Sequence, residues 1–305
     1  MIASDGNRFT ITPDGPYSLA ATADFLGGFT PASRAGVRED GHLHVAVCVD
    51  GSFTAGGFCL RQEGDLVAGE AYGDAPVLAV AEQAARIISA DVDGRGFVEV
   101  GRRDPVVARL GERFRWLRPP NFWSPYEAAV WAVLSQRITM RQAAAIKSAM
   151  AEQLGPVVDI HGDLQHAFPP PARLLEVATW KGVPDKKIPW LHGIARAALE
   201  GKLDAEYLRT GDEEERLAEL RTIPGIGPMS AEHILIRGAG APDRVTPMEP
   251  RLPRSIALAY GMDHVPADDE VFQMAEKWRP YRTWVMVLLR LAFARDDPGG
   301  NARRR

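Results

Sequence analysis

Between residues 43 and 72 the chain alternates apolar and polar positions in short runs, at Leu43 to Cys48, Ser52 to Leu60 and Asp65 to Tyr72, separated by Asp50-Gly51 and Glu63-Gly64. Period-two runs broken by such turns predict antiparallel β-hairpins. The period then changes. From Ala75 to Ala90 the apolar residues Val77, Leu78, Val80, Ala81, Ala84, Ile87 and Ile88 make one broad helical face, which ends at Asp91-Val92-Asp93-Gly94. From about Arg103 onward helix follows helix with almost no strand signal, and several starts are legible. Ser124-Pro125-Tyr126-Glu127 offers a capping serine, a proline at the first helical position and a glutamate three residues on. Thr139-Met140-Arg141-Gln142 repeats the capping-box logic for a helix running to Gly155. Thr210-Gly211-Asp212-Glu213 does so again, with Glu214 and Glu215 suited to the positive end of the helix.

The expected fold class is therefore α+β: an N-terminal antiparallel sheet-plus-helix domain over residues 1–100, then an all-α region over residues 101–305. A chain of 305 residues, 46% apolar and 25% charged, fits such a multi-domain globular protein. Its formal charge of −4 argues against nonspecific coating of nucleic acid, which needs many cationic side chains facing phosphate. Positive residues gather late, at Lys277, Arg279, Arg282, Arg290, Arg295 and Arg303-Arg304-Arg305, and read as a solvated face with a frayed tail. The two cysteines, Cys48 and Cys59, cannot supply a disulfide framework or a four-cysteine iron–sulfur or zinc site, and read as reduced strand residues. No metal is expected on side chains. Without a leader-like start or a span of about 18 uncharged apolar residues, a cytoplasmic protein is expected.

One segment carries more specific chemistry: Leu220-Arg221-Thr222-Ile223-Pro224-Gly225-Ile226-Gly227-Pro228-Met229-Ser230-Ala231-Glu232-His233-Ile234-Leu235. Its pattern predicts a helix ending near Thr222, a tight turn over residues 222–228, and a second helix opened by Pro228 and stopping at Gly238. Glycines let backbone amides approach a ligand, and the second helix adds its positive N-terminus, so the turn suits a phosphate oxygen. With Pro16-Tyr17, Phe25-Leu26, the run from Phe122 to Leu134, Ala197-Ala198-Leu199-Glu200-Gly201 and the segment from Glu276 to Arg282, this hairpin resembles the helix-hairpin-helix DNA glycosylases, specifically the bacterial 3-methyladenine DNA glycosylase II group.

The resemblance implies two helical subdomains with the active cleft between them, and a base-excision repair enzyme acting as a monomer on double-stranded DNA with a damaged, alkylated purine base. A catalytically weak DNA-damage-binding protein of the same fold is the alternative. The family's catalytic aspartate falls on Glu249, in the loop Thr246-Pro247-Met248-Glu249-Pro250-Arg251; Asp243, earlier in that loop, reads as a turn residue. A fixed carboxylate can stabilise the cationic sugar of glycosidic hydrolysis and orient water. The lysine of bifunctional relatives is replaced by Met229, which cannot attack the sugar, so no lyase activity is expected. Pro224, Gly225, Ile226, Gly227 and Ser230 map to DNA contacts of the hairpin, and Gln136 and Arg137 to the wedge that fills the gap of a flipped base. Phe25, Met229, His233 and Arg295 map to the base pocket. The resemblance also implies a monovalent cation, Na⁺ or K⁺, at the carbonyls of Thr222, Gly225 and Gly227, and no iron–sulfur cluster.

Overall fold

The three alternating runs supply half of a six-stranded antiparallel sheet of order β1-β2-β6-β5-β4-β3, whose other three strands the sequence pattern did not reveal. Its strands are β1 (Ile2–Asp5), β2 (Arg8–Ile11), β3 (Gly36–Val37), β4 (Leu43–Cys48), β5 (Ala55–Glu63) and β6 (Leu66–Gly73). The computed structural model describes residues 1–32, 36–37, 41–246 and 249–296. Because side chains alternate across a strand, Leu43, Val45 and Val47 of β4 face one way with Phe58 and Leu60 of β5. They bury against Val80, Ala84, Ile87 and Ile88 of α2 (Val77–Ile87) and the loop after it, and α1 (Leu19–Gly28) adds Leu19 and Leu26 to the same cluster. The other face, Ala46, Cys48 and Cys59, lies under Val158 and Ile160 of a second hairpin, β7 (Val157–Ile160) and β8 (Asp163–His166). That hairpin interrupts the stretch expected to be purely helical. Its strands have four residues each, too short for periodicity to register, and they gain their burial by docking on the sheet.

The helices that follow build two further cores. One is formed by α5 (Pro125–Leu134), α6 (Met140–Leu154), α7 (Pro171–Leu175), α8 (Ile188–Leu199), α9 (Ala205–Arg209), α10 (Glu213–Leu220) and α11 (Pro228–His233), which continues as a π-helical segment Ile234–Ala239. The other joins α3 (Arg95–Arg103) and α4 (Pro105–Arg113) to α12 (Leu252–Tyr260), α13 (Asp268–Ala275) and α14 (Arg282–Asp296). Residue 100 lies inside α3, whose Phe97 and Val100 pack with Trp278, Trp284 and Leu288 near the chain's other end. Trp131, Trp278 and Trp284 are buried in these cores, and Trp123 in the core between the sheet and α2.

The caps explain where these helices start. Thr139 and Gln142 form the full capping box on α6. Ser124 accepts from the Glu127 amide, but the Glu127 carboxylate turns inward to a buried ion pair with Lys147 at 2.6 Å instead of returning to the cap. The cap expected from Thr210 belongs to Asp212, which accepts from the Glu215 amide, while the Thr210 hydroxyl donates to the Glu206 carbonyl and closes α9. Asp212, two residues nearer the helix, is geometrically the better acceptor. Among the described residues no helix is long and apolar enough to cross a membrane.

Candidate active site

The helix-hairpin-helix turn is built from its own sequence. Ile223 and Ile226 are buried and anchor the corner, with the Ile226 amide donating to the Ile223 carbonyl at 3.0 Å across Pro224 and Gly225. Gly225 has φ +86°, a conformation in which any Cβ is strained, and a Cβ there would lie 3.0 Å from the Trp190 indole. Gly227 differs: its φ is −93°, and a Cβ would meet nothing within 4 Å. As N-cap of α11, Gly227 offers no side-chain acceptor, so the first amides of that helix keep their donor capacity toward the surface. Pro224 is exposed and Ser230 half-buried beside them.

A second turn is tied to this one. Gln136 donates through Nε2 to the Gly225 carbonyl at 2.9 Å. From the other side the Lys187 ammonium donates to the carbonyls of Leu134 and Gln136 at 3.0 and 2.8 Å. Between these clamps Arg137 stands exposed with φ +60°, and makes no hydrogen bond or ion pair among the described residues. A non-glycine residue held in the left-handed region needs surroundings that over-determine it, and the two clamps supply them.

The loop before α12 carries Glu249; Pro247 and Met248, read in the sequence as part of the same motif, lie outside the described residues. Ahead of α12, which begins at Leu252, the Glu249 carbonyl accepts the Leu252 amide at 2.9 Å and its Oε1 accepts the Arg251 amide at 3.2 Å. The same Oε1 lies 3.4 Å from Arg290 Nε on α14 and 3.5 Å from Arg251 Nε, with the side chain 29% exposed. Glu249 thus holds the turn that leads into α12 and still presents a carboxylate. Asp243 is engaged in structural ion pairs, with Arg282 Nε at 2.8 Å and Arg279 Nη1 at 2.9 Å on its oxygens. Next to it, Arg244 donates bidentately to Glu232 at 2.6 and 2.8 Å and also reaches Glu213 and Glu214. Arg244 therefore binds the Glu249 loop to both helices of the hairpin. The late basic residues are largely consumed in this way, since Lys277, Arg279, Arg282 and Arg290 each have an acidic partner.

The four pocket residues separate. Phe25 and Arg295 line one cavity of about 380 Å³ with Phe29, Phe114, Arg113 and Arg115, where Arg295 stacks on Phe114 at 4.9 Å. Leu291, one turn before Arg295, lines it too, and its neighbour Arg290 is the residue that reaches Glu249. His233 packs edge-on against Phe122 at 5.4 Å, and burial with the nearby Arg237 cation brings its pKa down to about 4. Arg237 itself lies over the rings of Phe25 and Phe29 at 5.4 and 5.2 Å, which links His233 to the cavity. Met229 does not join them; its side chain is exposed at the start of α11. Sequence reasoning missed Lys187, Arg237, Arg244 and Arg290, whose partners lie on distant segments; for Arg244 the only hint was an acidic run at Glu213 to Glu215.

No family model matches the chain. A DNA-3-methyladenine glycosylase of Bacillus subtilis (strain 168) is 28% identical over 204 residues, 65% of this chain and 67% of that protein. DNA-3-methyladenine glycosylase 2 of Escherichia coli (strain K12) is 30% identical over 185 residues, 59% of this chain and 62% of its own length. Among solved structures, the 3-methyladenine DNA-glycosylase of Archaeoglobus fulgidus shares the fold with a TM-score of 0.76, at 20% identity over 94% of this chain and 98% of that one.

Proposed function

The chain belongs to the helix-hairpin-helix DNA glycosylase superfamily, and on that premise we propose that this base-excision glycosylase acts as a monomer on double-stranded DNA, hydrolysing the N-glycosidic bond of a flipped, alkylated purine without cutting the strand. One observation carries the reading: the Gln136 bond to Gly225 and the Arg244 bridge to Glu232 tie the wedge turn, the hairpin and the carboxylate loop into one unit. A phosphate at the hairpin would then fix where the sugar lies relative to Glu249.

In this reading the amides around Gly227 and the N-terminus of α11 hold a backbone phosphate. A monovalent cation on the carbonyls of Thr222, Gly225 and Gly227 would add charge behind those amides, and oxygen ligands suit such a hard ion. Arg137, already projecting, enters the stack and fills the space left by the extruded base. Glu249 stabilises the positive charge that develops on the sugar and orients the attacking water. Met229 cannot form a Schiff base, and Lys187 is held by two carbonyls, so hydrolysis is the route.

The test is incubation with duplexes each carrying one defined lesion, followed by alkaline cleavage of abasic sites and, in parallel, borohydride trapping. Strand breaks appearing only after alkali, with no trapped adduct, are expected. A covalent adduct would end the monofunctional reading, and tight binding without excision of any lesion would leave a damage-binding protein.

A further inference from the structure

The face of the sheet turned away from α2 carries separate chemistry. His42 and His44 are two residues apart, a spacing that puts both imidazoles on one side of an extended chain. Strand register then sets His44 directly opposite Cys59. The intervening Leu43 and the following Leu60 point into the other core, so the pleat isolates the three polar groups together. The Cys59 Sγ lies 3.4 Å from His42 Nδ1, and one ligand atom from each of His42, His44 and Cys59 falls within 4.8 Å of the others. His44 and Cys59 are buried beneath the β7–β8 hairpin, while His42 is half-buried at the edge. From β8, Asp163 Oδ2 stands 3.1 Å from His44 Nδ1 and is itself held by Gln165 Nε2 at 3.0 Å.

We propose that His42, His44 and Cys59 bind a zinc-class divalent cation, with water in the fourth position. Zinc bonds of about 2.1 Å to nitrogen and about 2.3 Å to sulfur at a tetrahedral angle place the two ligand atoms about 3.6 Å apart, close to the spacing of His42 and Cys59. Asp163 accepts the Nδ1 proton of His44 and leaves Nε2 as the nitrogen with a lone pair to give, the carboxylate–histidine support that metal-bound imidazoles commonly have. Two imidazoles and a thiolate select a borderline-soft ion over magnesium or calcium. On binding, the Cys59 S–H bond breaks, sulfur donates its pair to the ion, and one proton passes to solvent. The ion clips β4 to β5 and, through Asp163, fastens the β7–β8 hairpin to the sheet. Nothing in this depends on the glycosylase reading.

The full chain, stripped with chelator and titrated with cobalt(II), is expected to bind one equivalent with a thiolate-to-cobalt charge-transfer band that zinc displaces. Cys59→Ser should lose that band, Asp163→Asn should weaken binding roughly 10- to 100-fold, and Cys48→Ser, on the same sheet face but outside the cluster, should keep it. Circular dichroism checks that each variant is folded. Should Cys59→Ser fail to fold, the partly exposed His42→Gln serves instead: zinc should raise the melting temperature of the parent chain and not that of this variant. A folded parent chain with no charge-transfer band, an unchanged band in folded Cys59→Ser, or an equal thermal shift in His42→Gln would overturn the proposal.

Discussion

Two residues of the proposed site carry physical demands that can be tested one at a time. Glu249 accepts the Arg251 amide in the turn before α12 and meets Arg290 at 3.4 Å, so its length is used twice. Glu249→Gln keeps an acceptor oxygen for that amide and loses the charge; DNA affinity should hold while single-turnover excision falls about 100- to 10,000-fold. Excision that persists would put the chemistry elsewhere. Glu249→Asp draws the carboxylate back from Arg290 by roughly an ångström, and should be slower by about 100-fold on the same assay; a faster enzyme would mean the loop favours the shorter acid. His233 is the second case. Burial and the Arg237 cation hold its pKa at about 4, against about 6.5 in an unfolded chain. Between those values the unfolded state binds the extra proton, so stability should fall as pH drops from 6.5 toward 4 and be unaffected by this group above 6.5. An imidazole NMR titration should give the low midpoint, and Arg237→Met should raise it.

At the scale of the element, the two hairpin glycines separate by cause. Gly225 is required by the fold, because its positive φ and the Trp190 ring both refuse a side chain. Gly227 is required by neither, since its backbone is ordinary and the space beside it is open. Gly225→Ala should therefore lower stability by more than about 1 kcal/mol in denaturant unfolding. Gly227→Ala should cost no more than the roughly 1 kcal/mol of a poorer N-cap, yet bind every duplex more weakly, whatever its sequence or lesion, because a phosphate contact reads no base. Unchanged affinity in Gly227→Ala would remove the hairpin amides from the interface. The turn presenting Arg137 follows the same logic: its strain is borne by Lys187 and Gln136, while Arg137 itself makes no hydrogen bond or ion pair among the described residues.

For the whole molecule, the decisive contacts cross between cores. Arg244 joins the loop of the C-terminal helices to α10 and α11, and Asp243 beside it is locked to α14 by Arg282. This network ties the segment leading toward Glu249 to the two hairpin helices. Arg244→Met should cost roughly 1 to 3 kcal/mol, the range for hydrogen bonds to charged groups. Excision should fall further than DNA affinity, since the hairpin can still find a phosphate while Glu249 loses register with it. Equal losses in both would show that Arg244 serves stability alone.

The sequence by itself determined what depends on near neighbours along the chain. The β4 to β6 runs, the α2 face, the capping box at Thr139 and the Pro-Gly-Ile-Gly turn are all local patterns, and the last of these, with other short segments, carries the resemblance. The assignment of Glu249 rests on motif spacing within that resemblance. Tertiary structure decided what depends on partners far apart. The β7–β8 hairpin exists because a sheet face is there to receive it, and Glu127 left its cap because Lys147 waited in the core. The late arginines were absorbed by Asp243, Glu249 and Glu276, and Arg237 came to lie over Phe25 and Phe29. The clearest case is His42, His44 and Cys59. Two of them share a strand edge and could be paired by period two, but the third joins only through strand register, which is settled when the buried face of the sheet packs on its core.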